Sequence, residues 1–513
     1  MKRIILGFVL IASISSPGQP VDEAIQKIKS EEKNNSQVSE IAHILTDVCG
    51  PRLTNSPGYR SAVNWVTQKF KEWGLQNSGP EPWGEFGRGW STEMAYLAMK
   101  LPYYQPLIAY PVAWTNGTQG LISADVVIID KLDSSTIDKA GDLQGKIVMV
   151  KESNTNLPSA FEPYSTRYAD SILNNLPDAY IFSRQMIEYY LPILMNEYKT
   201  SLYLQSKGAV ALLTRGFQGR DGTLFVAGTP AFAKNYPLPL PELVVSSEDY
   251  LRMQRLIEDK REVRLEINIR NQIYSDSLIG FNVIGEIPGS DPTLKSQLVM
   301  LGGHLDSWHS GTGATDNGAG CIATMEAVRI LAALHLKLRR TIRIALWGGE
   351  EQGLLGSFAY VKNHFGDPKD MNLKPEQKLV SVYYNLDNGS GKIRGIYLQN
   401  NEKVRGLFSR WLMPFASMGA TGVTSSNTGA TDHLSFDAVG IPAFQFIQDP
   451  LEYETRTHHS NMDNYDHLSV DDLQQAATII AAFVYNSAMA DDMIPRKPLP
   501  KRGRFVFDTD LPF

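Results

Sequence analysis

Two periodicities divide the chain. In residues 58–74 the apolar side chains Ala62, Trp65, Val66, Phe70 and Trp73 fall on one helical face before Gly74 ends the run. Residues 20–75 as a whole read as helical. From about residue 105 the pattern shortens. Runs at 125–130, 146–150 and 209–214 are β-rich, and 262–269 alternates as a half-buried strand should. Between them, 159–207 is aromatic and helical in pattern and has the look of an insertion. From about 279, strand and helix alternate. β runs fall at 297–301, 341–347, 379–386 and 442–447. Helices fall at 318–338, with Ile322, Met325, Val328, Leu331 and Ala332 facing inward, and at 402–418 and 471–489. This order predicts an α/β domain with a doubly wound, mostly parallel sheet covered by helices on both faces. In such sheets the working residues lie just beyond the C-terminal ends of strands. The tail, 495–513, is rich in Pro and Arg and reads as a surface strap or a loose end.

At 513 residues the chain is too long for one ordinary core, which predicts more than one domain. Its 43% apolar and 20% charged residues exclude a disordered chain and a membrane bundle. A net charge of −6 leaves no basic footprint, so nucleic acid is not an expected partner. The N-terminus departs from this average. Lys2 and Arg3 precede an apolar run over 4–14 and then Ser15, Ser16, Pro17 and Gly18, the order of a secretory signal peptide. The run is shorter than the ~20 residues a spanning helix needs. We therefore expect a signal over 1–19, a secreted or periplasmic protein, and no membrane span after its removal. The two cysteines, Cys49 and Cys321, are expected as free thiols. Asn388-Gly389-Ser390 is formally a glycosylation acceptor, but a glycan beside Asp387 would obstruct the candidate site, which favours a non-glycosylating host.

Five short segments, most of them after a predicted strand, each offer a metal ligand. They are Gly302–Asp306 with His304, 315–318 with Asp316, 347–351 with Glu350 and Glu351, 385–389 with Asp387, and 457–460 with His458 and His459, Asp463 being nearby. Asp306, two residues after His304, could accept the proton of the second ring nitrogen and set its tautomer. Taken singly each segment has an ordinary structural explanation. Jointly they place carboxylates after apolar strands, where burial costs several kcal/mol without a cation or donor. Two His, two Asp and a Glu suit a pair of zinc ions bridged by a carboxylate. Of the adjacent Glu350 and Glu351, one can ligate while the other leans over a water and carries its proton to a leaving amine. That is a hydrolase design without a covalent acyl-enzyme.

At these residues the chain resembles the di-zinc aminopeptidase and carboxypeptidase family. The likeness runs over most of its length, through 52–58 with the following helix, 302–308, 315–320, 347–357, 385–391 and 431–444. The resemblance implies that Asp316 bridges two zinc ions, that His304 and Asp387 complete one site, and that Glu351 and the last histidine complete the other. It makes Glu350 the general base. The histidine directly before Ser is His459, and His458 is then a candidate for holding the tetrahedral intermediate, or else a wall residue. Asp432 and His433 match a family motif as surroundings of the site rather than ligands. Runs at 143–150 and 206–214 resemble an inserted protease-associated domain, which implies a limit on substrate length. The expected organisation is a catalytic domain in two parts, 20–115 and 276–493, an insertion at 116–275 with the helical stretch 159–207 within it, and a tail at 494–513. That stretch could be a lid, a contact in a homodimer, or surface decoration. The expected reaction is hydrolysis of dipeptides or short peptides from one end. Aminopeptidase action on longer peptides is the alternative, and a non-catalytic binding protein would have lost ligands that are all present here. Arg215, Lys392 and Arg394 are cations that a substrate carboxylate could use.

Overall fold

The computed structural model describes residues 19–157, 161–178, 184–216 and 219–501. The sheet that carries the candidate site has four parallel strands at its centre: Thr341–Trp347, Leu298–His304, Val380–Asn385 and Ala443–Gln448. Their sequences are nearly continuous apolar runs because helices cover both faces, leaving no polar side to alternate with. On one face pack Gln19–Asn35, Pro57–Glu72, Ala319–Ala333 and Val470–Met489. On the other pack Leu355–His364 and His433–Asp437, through Tyr360, Val361 and Phe436 against Trp347 and Tyr383.

The eight-stranded sheet as a whole is mixed, with four of its seven strand pairings parallel and three antiparallel. Ile279–Ile287 pairs antiparallel with Thr341–Trp347, and Gln76–Glu85 antiparallel beyond it. At the opposite edge Ile393–Tyr397 runs antiparallel to Ala443–Gln448 and parallel to Gly422–Thr424. The edge strand Gln76–Glu85, with two Pro and two Gly, carries no alternation that would announce it. An edge strand has one neighbour to satisfy and tolerates proline on its free side.

A second eight-stranded sheet holds, in order, Gln105–Pro106, Gly89–Leu101, Arg264–Tyr274, Ile122–Ile129, Ile147–Val150, Ala211–Arg215, Glu242–Val245 and Ala109–Pro111. It therefore draws strands from residue 89 onward, ahead of the shift in pattern read at about 105 from the sequence. An aromatic cluster of Phe86, Trp90, Trp114, Phe232 and Trp308 packs at the seam of the two sheets, with Phe86 stacked on Phe232 at 4.9 Å.

The stretch 159–207 is helical only in part. Asp170–Leu173 is a single turn and Arg184–Ser206 a long helix. Residues 161–178 instead form a strap lying on the first sheet's side of the molecule. Thr166 bridges to Leu451, and the Asp178 carboxylate accepts from Ser425 N at 2.5 Å and Arg405 Nη2 at 2.9 Å. The tail is tied down at its start: Arg496 Nη2 donates to the carbonyls of Gln377 and Val380, and Lys497 pairs with Asp437. Residues 502–513 and 1–18, the bulk of the expected signal, lie outside the described residues. Among the described residues no helix is long and apolar enough to cross a membrane. Cys49 and Cys321 are buried and unpaired, as expected.

Candidate active site

The five segments converge at one edge of the central sheet. His304 is the last residue of its strand, Glu350 and Glu351 follow Thr341–Trp347 after two glycines, and Asp387 lies two residues past Val380–Asn385. Both glycines are required. Gly349 has φ +71°, and a Cβ on Gly348 would approach Tyr59 Oη to 2.0 Å. Asp316 precedes helix Ala319–Ala333 with extended backbone (φ −124°, ψ 93°), which turns its side chain back towards His304. His458 and His459 stand on the long loop after Ala443–Gln448.

Two imidazole-centred groups share Asp316. His304 Nε2 is 3.4 Å from Asp316 Oδ1 and 3.4 Å from Asp387 Oδ1. His459 Nε2 is 3.2 Å from Asp316 Oδ2 and 3.0 Å from Glu351 Oε2. The two oxygens of one carboxylate thus face two different imidazoles. His458 Nε2 is 3.6 Å from Asp316 Oδ2, with Glu454 Oε2 3.7 Å from its other nitrogen, and its ring lies 3.8 Å from that of His459. Glu350 Oε2 is 3.8 Å from His304 Nε2.

Asp306 is at the site but not in the role its spacing suggested. His304 Nδ1 is 3.0 Å from the Asp306 backbone carbonyl and 3.7 Å from its carboxylate, so the carbonyl orients the ring. The carboxylate accepts instead from the backbone N–H groups of Glu350 and Glu351, at 3.2 and 3.3 Å, and from the Thr54 hydroxyl at 3.0 Å. It therefore fixes the turn on which both glutamates ride. Asp463 does the same for Asp316, its two oxygens accepting from Thr315 N at 2.5 Å and Asp316 N at 3.1 Å. Arg52 pairs with no carboxylate among the described residues. Its guanidinium donates to the carbonyls of Leu305, Thr312 and Gly313, and so pins the loop between His304 and Asp316, and to Leu45 O. Arg52 and Thr54 belong to a stretch, 52–58, legible as a motif but without a role, because their partners are about 250 residues away.

Other cations proposed for the site are elsewhere. Arg394 is buried against Asp449 and the carbonyls of Tyr168 and Gly419. Arg215 donates to Ser247, Asn154 and Asn156. Asp432 and His433 are fully buried, and His433 Nε2 faces the Gln399 amide at 2.7 Å.

Burial sets the electrostatics. It pushes the Glu350 carboxyl well above the carboxylate range, with Asp387, Asp432 and Glu351 adding to it against His304. Burial and Asp316 push Glu351 to about 7, and burial takes Asp432 to about 8. Against the cost of burial, His304 and His459 hold Asp316 well below its ordinary value.

The donor set fits a metal. Asp316 Oδ2, Glu351 Oε1 and Asp387 Oδ1 are buried without a hydrogen bond of acceptable geometry. Carboxylate oxygens so placed need a cation or a donor. Tetrahedral zinc with bonds of about 2.0–2.1 Å separates its ligand atoms by roughly 3.3–3.4 Å. The N···O separations, 3.0–3.4 Å, are of that size. His304, Asp316 and Asp387 form one compact group of possible ligands, and Asp316 with His458 and His459 another.

Comparison with known proteins agrees with this donor chemistry. Residues 282–484 match the profile of peptidase family M28. Carboxypeptidase Q of Bos taurus is 25% identical over 456 residues, 88% of this chain and 85% of that protein. The fold is that of a peptidase M28 precursor from Shewanella amazonensis SB2B, with a TM-score of 0.68 at 23% identity over 94% of this chain and 99% of the other. A zinc aminopeptidase from Bacillus subtilis gives a TM-score of 0.54 at 18% identity, over 89% and 95%. Residues 282–484 of the chain thus match peptidase family M28, and the protein is a metallopeptidase.

Proposed function

We propose that the protein is an exported exopeptidase with two zinc ions that hydrolyses dipeptides or short peptides. The observation that carries this reading is the Asp316 carboxylate, one oxygen towards His304 and the other towards His459. In this assignment His304 and Asp387 would hold one ion and Glu351 and His459 the other, with Asp316 shared between them. Zinc held there would supply Lewis-acid polarisation of the scissile carbonyl and a water whose pKa is brought towards ~7. The Glu350 carboxylate faces the His304 group, 3.8 Å from Nε2. In this assignment it takes a proton from the attacking water and returns it to the leaving amine. His458, half-exposed beside His459, is placed to donate to the oxyanion that develops on the carbonyl. Asp306 keeps the Glu350–Glu351 turn in register and touches no reacting atom.

The proposed organisation is a signal at 1–19, a catalytic domain over 20–115 and 276–493, a protease-associated-like insertion over 116–275, and a tail from 494. Contacts of the insertion with the His459 loop support a cleft closed at one end, which suits short substrates. Similarity to carboxypeptidase Q over most of both chains points the same way. The test is a panel of free dipeptides, N-blocked dipeptides and longer peptides, with the zinc content measured on the same preparation. Free dipeptides should turn over fastest. Zinc-replete protein that cleaves none of them would end the exopeptidase reading, and turnover of N-blocked substrates would remove a strict requirement for a free amine.

A further inference from the structure

The loop from Asp449 to Asp463, which carries His458 and His459, is gripped from both ends by the inserted region. At its start the strap reaches across. Asp449 is fully buried and accepts from Arg167 Nη1 at 2.9 Å and Tyr168 N at 2.9 Å, while Arg394 supports it from within the first sheet's domain at 2.8 Å. Thr166 N donates to Leu451 O, Thr455 Oγ1 donates to Tyr164 O, and the Arg456 guanidinium lies 4.9 Å from the Tyr164 ring. At its end, residues 222–226 from the second sheet's side take hold. Val226 N donates to the His459 carbonyl at 2.9 Å, Phe225 bridges to Ser460, and Asn461 bonds Leu224 N through Oδ1 and Gly222 O through Nδ2.

His459 itself has φ +58°, a left-handed backbone that a residue with a Cβ adopts only when its surroundings over-determine it. The Val226 bond falls on that same residue. Between the two grips, Tyr453 O accepts from His458 N and the Tyr453 ring rests 4.8 Å from the His458 ring. The loop has no regular strand or long helix of its own to set the imidazoles.

We infer that the inserted region positions His459 for its metal: the strap through Arg167, and segment 222–226 through Asn461, hold the loop in the one conformation that brings Nε2 to Asp316 and Glu351. Arg167 and Asn461 are positioning residues, and the insertion acts on the zinc site as well as bounding the cleft. This rests on the assignment of His459 as a ligand.

The test uses the full chain loaded with zinc. Arg167→Met, Asn461→Ala and the double variant are titrated by chelator competition, with His459→Ala as control. The double variant should bind one of its two ions roughly tenfold or more weakly, with the other unchanged. At limiting zinc kcat should fall while KM for a dipeptide holds, excess zinc should restore kcat, and Arg167→Lys should recover part of the loss. Should the double variant not fold, the single variants carry the same comparison. Zinc affinity in folded variants within about twofold of wild type would overturn the inference, as would equal weakening of both ions. If His459→Ala itself keeps both ions, the ligand assignment fails. If it loses one while the Arg167 and Asn461 variants do not, the assignment stands and the positioning role falls.

Discussion

At Asp306 one residue divides two tasks between backbone and side chain. Its carbonyl orients the His304 ring and its carboxylate collects the N–H groups of Glu350 and Glu351. Spacing of two in the sequence could not tell these apart, because both acceptors lie within reach of the same ring. The histidine doublet presents the same difficulty. Only distances separate His459, which faces Asp316 and Glu351 together, from His458, which faces Asp316 and Glu454. Two outcomes follow at this scale. Glu350→Ala should keep its zinc and lose about 10²–10⁴-fold in kcat, the usual contribution of a positioned base, as measured by metal analysis beside steady-state kinetics. His459→Ala should lose zinc affinity more than His458→Ala does, and the reverse order in a competition titration would exchange their roles.

Among the elements, helix Gln19–Asn35 shows a contact that no local pattern announces. Glu32 is buried beside Glu326, which the Arg329 guanidinium holds at 2.8–2.9 Å. Burial and the Glu326 carboxylate push the Glu32 carboxyl from its ordinary 4.5 to about 8. The folded state therefore keeps a proton that the unfolded chain releases. The sign follows: this group's contribution is fully present below its unfolded pKa near 4.5 and is lost as pH rises towards about 8. Glu32→Gln should flatten the fall of melting temperature across that window and leave the variant more stable than wild type at its alkaline end. A parallel pH dependence in both proteins would show that Glu32 is not the source. The Asp306 turn offers a second check. Asp306→Ala leaves the Glu350 and Glu351 N–H groups without an acceptor, at about 1–3 kcal/mol each, and should lower both stability and activity, seen in thermal melts and in turnover at saturating zinc.

Across the molecule, the charges gathered at the sheet edge tie stability to the metal. Asp316, Glu351 and Asp387 bring buried, unsatisfied oxygens to one place. A ligand that binds only the folded state adds about 4 kcal/mol when present at 1,000 times its Kd. Removal of zinc with a chelator should therefore lower the melting temperature by several degrees, and restored zinc should return it. A chelated protein that melts at the original temperature would mean that the carboxylates are satisfied in some other way.

The central strands and the five candidate segments were legible in the sequence because each is a local signal: a continuous apolar run, a helical face, a glycine pair, a carboxylate just past a strand. The strand over 341–347 and the long C-terminal helix come out within a residue of their expected bounds. What the chain by itself did not reveal depends on partners far apart. The edge strands Gln76–Glu85 and Gly422–Thr424 exist because a neighbour offers hydrogen bonds, not because their own residues alternate. The strap at 161–178 gains its shape from Asp449, Leu451 and Arg405, which lie more than 220 residues on. The sequence alone determined which residues could bind a metal, since that is a matter of side-chain chemistry. Only the tertiary structure decided which imidazole meets Asp316 and Glu351, which oxygen orients His304, and that residues 164–168 and 222–226 grip the histidine loop, because those are distances set by packing.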